Sequence, residues 1–345
     1  MTEPQRLDTL GMFAATAALP EQVAAAAEVG RAVDRLPEHD DVANVLVLGM
    51  GGSGIAGDLL AAIAGPFMPV PVVVCKGYEP PSFVDESTLV IALSFSGDTE
   101  ETVEAAATAA SAGGKMLVVC GGGDLEELAS AWRAPILRVP AGIPMPRAAI
   151  GALAIPAIVA LERMALFPGA TSWVDSAVEQ LVRRRNELVV DGNPAETLAR
   201  SIGRTLPIIY SGGELGQVAA SRWKAQCNET AKIPAFANVV PELCHNEICG
   251  WGQHGDLTRQ VFSLVTLRHD HEHPQVSRRF ELIADLMDEV VADRFSVQAE
   301  GEGTLAQLLD LVLYGDFVSL HLAAQEGLDP GPVPVLDQIK QELTR

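Results

Sequence analysis

Three hydroxyl-bearing residues, Ser94, Ser96 and Thr99, fall within six positions of the segment SFSGDTEET, residues 94–102. The apolar run in front of them, STLVIALS, reads as a buried strand, and TEETVEAAATAASAG behind reads as a helix. Hydroxyls on a strand-to-helix turn, next to the free N–H groups of the helix start, can surround a tetrahedral dianion with neutral donors. Gly97 permits the tight turn. Capping a helix takes one hydroxyl, so three on one turn exceed that need and point to a phosphate cradle.

A second glycine-rich turn, GMGGSGIAG at residues 49–57, follows the strand-like NVLVLG. It satisfies G-x-G-x-x-G through Gly49, Gly51 and Gly54, the fingerprint of a dinucleotide-binding turn. That fingerprint also needs an acid at the end of the next strand to hold the ribose hydroxyls. Here VVVCKG ends at Lys76, which disfavours a nicotinamide cofactor. Gly51, Gly52 and Ser53 are then free to offer backbone and hydroxyl donors to a phosphate or a sugar.

The 345-residue chain carries a formal net charge of -21. Such a field repels nucleic acid and anionic membrane surfaces, so neither is expected as a partner. An anionic substrate is compatible with it only if neutral donors and helix ends do the holding. With 48% hydrophobic and 20% charged residues the balance is that of a soluble globular protein. The apolar run Ala148 to Leu161 is too short to span a bilayer and reads as a core helix. MTEPQRLDTL lacks the pattern of a secretory signal, and the five cysteines, Cys75, Cys120, Cys227, Cys244 and Cys249, have no paired spacing. Reduced thiols and a cytoplasmic location are the expectation.

Behind these motifs lies an alternation of apolar strands with 10–15-residue helical patterns, which indicates a doubly wound parallel α/β sheet. Residues 7–35 read as one Ala-rich helix. NVLVLG, PVPVVVCKG, STLVIALS, KMLVVC and WRAPILRVP supply five strands. The pattern restarts at TLPIIYSGGELG, again a strand running into a glycine-rich turn, and VFSLVTLR and DRFSVQAEG follow it. The expected organisation is an N-terminal α/β domain over 1–165, a helical linker over 166–195 and a C-terminal α/β domain over 196–345.

GMGGSGIAGDL, followed about 40 residues later by S-x-S-G-x-T-E-E-T, resembles the sugar isomerase (SIS) domain. RWKAQCNETAKIPAFANVVPELCHNEICGW, from Arg222 to Trp251, is similar to the signature region of the bifunctional phosphoglucose/phosphomannose isomerases. The resemblance covers nearly the whole chain and implies two SIS domains and a sugar-phosphate substrate. It also implies aldose–ketose isomerisation through a cis-enediol with no cofactor and no metal. By the match of NE-x-x-K to the family motif, Glu229 is the expected base, shuttling a proton between C1 and C2. His245 matches the ring-opening histidine, suited by a pKa near neutrality. In relatives this histidine reaches the partner subunit's site, which implies a homodimer. Lys340 matches a lysine near the ring oxygen and C1.

Arg147 matches the cation expected beside the enediolate. Its own position supports this, since an arginine carries the wrong sign for a helix N-terminus. By spacing, Arg222, Glu229 and Lys232 should share one helix face. The chain departs from the family at Cys244, at Met145 and at Gly331, where many relatives place Thr or Ser near the sugar. HDHEH, residues 269–273, invites a metal, but Pro274 follows at once and the segment reads as a polar loop after a strand. The rival to an enzyme is a sugar-phosphate-binding regulator, which would need Ser94, Ser96 and Thr99 but not Glu229, His245 and Lys340 together.

Overall fold

A computed structural model describes residues 7–343. The first half contains α1 (Met12–Ala17), α2 (Leu19–Ala32), β1 (Asn44–Leu48), α3 (Gly51–Ala64), β2 (Val72–Cys75), β3 (Thr88–Ser94), α4 (Glu100–Ser111), β4 (Lys115–Cys120), α5 (Gly123–Trp132), β5 (Ile136–Arg138) and α6 (Ile150–Arg163). The second contains α7 (Ala170–Leu188), α8 (Pro194–Ile202), β6 (Leu206–Gly212), α9 (Gly213–Gln226), β7 (Phe236–Val240), α10 (Gly255–Val261), β8 (Phe262–Arg268), α11 (Pro274–Met287), β9 (Arg294–Gln298), α12 (Thr304–Gln325) and α13 (Pro334–Leu343). The single helix expected over 7–35 is two helices, because Pro20 sits in the first turn of α2 and cannot donate into a continuous helix.

The chain divides into two compact units, neither continuous in sequence. One comprises residues 18–182 and 300–310; the other comprises 1–17, 183–299 and 311–345. Residues 166–195 therefore divide between the units within α7, after Val182. In the first unit five parallel strands run in the order β2-β1-β3-β4-β5. All seven residues of β3 are buried, as a central strand covered on both faces must be. The wholly buried stretch Ile150 to Leu161 of α6 confirms the apolar run as a core helix.

In the second unit four parallel strands run β7-β6-β8-β9. Its core gathers Ile208, Tyr210, Leu243, Leu264, Phe280 and Met287. Helix α9 is fixed to α12 by a buried ion pair in which Arg222 Nε and Nη2 meet Asp316 Oδ1 and Oδ2 at 3.0 and 2.8 Å. Trp223 Nε1 donates to Leu311 O at 2.7 Å alongside it. Arg222 is thus 1% exposed, with its guanidinium in an ion pair inside the core. Helix α12 is long and apolar enough to cross a membrane, yet its most apolar stretch is entirely buried in the protein.

In each sheet the chain order reverses beside the first strand, between β1 and β3 and again between β6 and β8. Ligands of open α/β sheets bind outside the carboxyl ends of the strands at such a reversal. The second reversal is filled by the protein itself. His269, directly after β8, is 5% exposed, and its Nε2 donates to Gly212 O at the end of β6, at 2.8 Å. A Cβ on Gly212 would lie 2.6 Å from Val276 Cγ1, so α11 packs closely on this turn. HDHEH is, as expected, a loop between β8 and α11, but His269 within it is buried. His273 instead caps α11, its Nδ1 accepting from Gln275 N at 3.1 Å.

Burial pushes the His269 pKa down, against the Gly212 hydrogen bond and Glu272, which raise it; His271 and Arg268 add to the lowering. Above the unfolded value of about 6.5 both states are neutral and His269 contributes no pH dependence. Below it the unfolded chain binds a proton that the native ring resists. Stability should then fall with pH by up to about 1.4 kcal/mol per unit until the folded pKa is reached. His269→Gln retains an N–H for Gly212 O and should remove this component. Denaturant unfolding at pH 7.5 and 5.5 tests it: wild type should lose more stability than the variant, and equal losses would contradict the assignment.

Candidate active site

Both sequence motifs converge on the first unit's reversal. β1 ends into Gly49–Ser53 and β3 ends into Ser94–Thr99, so the two turns stand side by side at the carboxyl ends of paired strands. Ser53 Oγ accepts from Phe95 N at 3.2 Å, tying one turn to the other. Ser94 Oγ accepts from Gly97 N at 3.0 Å and donates to Thr99 Oγ1 at 3.1 Å. Ser96 Oγ accepts from Asp98 N at 3.1 Å. The four hydroxyls thus divide in role. Ser53 and Ser94 are buried and hold the turns in shape, while Ser96 is exposed and Thr99 half-buried.

Thr99 is the N-cap residue of α4 but makes no side-chain cap bond, and α3 likewise starts without one. Helix starts left without side-chain caps keep backbone N–H donors for an anion. Gly97 has φ +89°, and a Cβ there would lie 1.7 Å from Gly122 O. No other residue fits without moving the backbone.

Arg147 belongs to the same unit. It is 2% exposed, in a 3-10 turn spanning Pro146–Ala148 at the entrance of α6. A Cβ on Gly52 would lie 3.2 Å from Pro146 O, so the arginine-bearing turn crosses directly over the first glycine turn. Gln22 of α2 holds this entrance, donating to Ala148 O at 2.8 Å and accepting from Ala152 N at 3.1 Å. Gln22 supplies what a capping side chain would, and no local pattern in the sequence marks it. Lys76, the residue that argued against a dinucleotide, pairs with Asp58 of α3.

Glu229 lies in the second unit, half-buried, on a π-helical turn over Cys227–Ala231 that continues α9. Such turns carry one residue more than an α turn and re-aim the side chains they hold. Lys232 closes it in a left-handed conformation, φ 59°. Its Nζ donates to Glu229 O at 3.4 Å, Thr230 O at 3.3 Å and Asp329 O at 2.7 Å, joining the turn to the loop before α13. Lys232 therefore braces backbone carbonyls. Gly331 in that loop is buried, and a Cβ would lie 2.8 Å from Leu10 Cγ. A Ser or Thr there would require Leu10 to move.

His245 ends a 3-10 turn over Glu242–His245 and is exposed, while Leu243 beside it is fully buried. Cys244, one of the departures from the family, is half-buried, and burial raises its thiol pKa. Lys340 stands on α13, a helix with no buried residue. Within the described residues, Gly51, Gly52, Ser53, Ser94, Ser96, Thr99 and Arg147 are gathered in one unit. Glu229, His245 and Lys340 belong to the other.

Because the turn depends on Gly97, Gly97→Ala should displace the backbone that donates to Ser94. Fructose 6-phosphate affinity, measured by calorimetry, should fall at least ten-fold while the far-UV circular dichroism is unchanged. Unaltered affinity would show that this turn does not hold the phosphate.

Residues 191–343 match the bacterial phospho-glucose isomerase C-terminal SIS domain, and residues 41–131 match the SIS domain. The chain is 34% identical over 336 residues to the bifunctional phosphoglucose/phosphomannose isomerase of Caldicellulosiruptor bescii, covering 96% of this chain and 98% of that protein. It is 31% identical over 303 residues to the protein of the same name from Aquifex aeolicus, covering 87% and 90%. Among solved structures, the C-terminal domain of glucosamine-fructose-6-phosphate aminotransferase from Francisella tularensis shares the fold, with a TM-score of 0.71 at 14% identity over 93% of this chain and 98% of that one. Two parallel sheets, the hydroxyl turn at the first reversal and this end-to-end similarity lead to one conclusion: the chain belongs to the SIS-domain family of bifunctional phosphoglucose/phosphomannose isomerases.

Proposed function

We propose that this protein interconverts fructose 6-phosphate with glucose 6-phosphate and mannose 6-phosphate, without a cofactor, through a cis-enediol. The observation that carries the reading is the strand reversal of the first unit, where two uncapped helix starts and the Ser96 and Thr99 hydroxyls offer neutral donors to a phosphate. The names of the relatives matched along the whole chain support the substrate class.

In this reading Gly51, Gly52, Ser53, Ser94, Ser96 and Thr99 bind the substrate, with Ser53 and Ser94 acting through the shape of the turns. Glu229 takes a proton from C1 or C2 and returns it to the neighbouring carbon, serving as base and then as acid. Arg147, a buried guanidinium bordering the first glycine turn, stabilises the negative charge that grows on the enediolate oxygens. His245 opens the ring by moving a proton between the C1 hydroxyl and the ring oxygen, and Lys340 steadies that region. One base serves both epimers if the enediol rotates about C2–C3 and presents either face. A cytoplasmic homodimer is the expected setting, and the charge of -21 disfavours nucleic acid and anionic membranes as partners.

Purified protein supplied with fructose 6-phosphate in the presence of EDTA should form both glucose 6-phosphate and mannose 6-phosphate, detected by separate coupled enzymes. Formation of neither product, with fructose 6-phosphate still bound, would replace the isomerase with a sugar-phosphate-binding regulator.

A further inference from the structure

Between cis-Pro241 and Trp251 the chain makes two short 3-10 turns, Glu242–His245 and Glu247–Gly250. Such turns have poor hydrogen-bond geometry and little intrinsic order. An exposed histidine on one of them has a fixed position only if other groups hold the segment. Leu243 does so before the histidine, packed in the core with Tyr210 and Phe280. After it the holding falls to Glu247, two residues from His245.

Glu247 is half-buried and receives two side-chain donors from the sheet. Tyr210 Oη on β6 donates to its Oε1, and Asn238 Nδ2 on β7 donates to Oε2 at 2.6 Å. Trp251 Nε1 donates to Tyr210 Oη at 3.0 Å, fastening the far end of the segment to the same tyrosine. Asn246 completes the frame, its Oδ1 accepting from Glu247 N at 2.6 Å and its Nδ2 donating to Glu242 Oε1 at 2.9 Å. Tyr210 is fully buried, and burial followed by the Glu247 carboxylate pushes its pKa far up, so it remains a donor at any working pH.

We propose that Glu247 is a positioning residue for His245: its carboxylate, clamped by Tyr210 and Asn238, fixes the segment that presents the imidazole. A carboxylate can accept from both donors at once, whereas an amide has one accepting oxygen. Glu247→Gln therefore sets an N–H group against one of them. Asn238 cannot relieve the clash by flipping, because its Oδ1 already accepts from Val239 N at 2.8 Å.

The kinetic consequence rests on the isomerase reading; the mechanical one does not. In the full-length protein, Glu247→Gln should speed amide hydrogen exchange at least ten-fold across 242–250 while β6 and β8 stay protected. Tyr210→Phe should act in the same direction. Unchanged exchange across 242–250, or faster exchange spread evenly over the sheet, would overturn the proposal whether or not the protein is an isomerase. Where isomerase activity is present, Glu247→Gln should lower kcat about ten-fold with KM near wild type, and should have no further effect in a His245→Ala background. Additive losses in that cycle would show that Glu247 does not act through His245.

Discussion

A phosphate dianion has to be held by a chain whose own net charge is -21, and the architecture follows from that opposition. Adding many cations would be one answer; the structure uses geometry instead. Parallel strands aim their carboxyl ends, and the helices that follow them, at one edge of the sheet. The reversal of strand order between β1 and β3 lies at that edge, where open α/β sheets bind their ligands. Into it point two helix starts without side-chain caps and a turn of hydroxyls. These donors carry no net charge, so they can be packed together without repelling one another. Arg147, the buried cation beside the first glycine turn, is proposed for the charge that appears during the reaction.

The second unit reuses the topology for a different purpose. Its reversal is plugged by His269 against Gly212, and its helix after the first strand is locked by the Arg222–Asp316 pair. This rigidity bears on Glu229, which lies where α9 gives way to a π turn. A proton shuttle between adjacent carbons tolerates little positional error. The brace supplied by Lys232 on three carbonyls, and the frame around Glu247, are the means by which irregular backbone is made stiff.

Much of this was legible in the residues. Strand-to-turn signals placed both glycine-rich motifs correctly, because β-branched runs ending in Gly and Ser have few alternative structures. Lys76, where a dinucleotide site needs an acid, argued against that reading on chemistry alone. What escaped was what depends on distant partners. The ion pair of Arg222 was hidden because helical spacing is blind to Asp316, 94 residues away. HDHEH lies in the loop its composition indicates, but nothing local shows that His269 is buried against a backbone carbonyl. Gln22 bears no motif, and neither Lys232, the lysine of NE-x-x-K, nor Glu247, inside the signature region, reveals by its place in the sequence the backbone or side chains from elsewhere in the fold on which it acts. The π turn is likewise invisible to a 3.6-residue period.

The central claim is that one carboxylate, Glu229, carries the proton between adjacent carbons of a sugar held by its phosphate. Incubating fructose 6-phosphate with the protein in deuterated water and following the C1 hydrogens by NMR tests it directly. Wild type should exchange deuterium into C1, with each C1 hydrogen removed when its face of the enediol is presented to the base. Glu229→Gln should exchange it at least a thousand-fold more slowly while binding fructose 6-phosphate within about three-fold of wild type. Substantial exchange by the variant would place the base elsewhere and contradict the assignment.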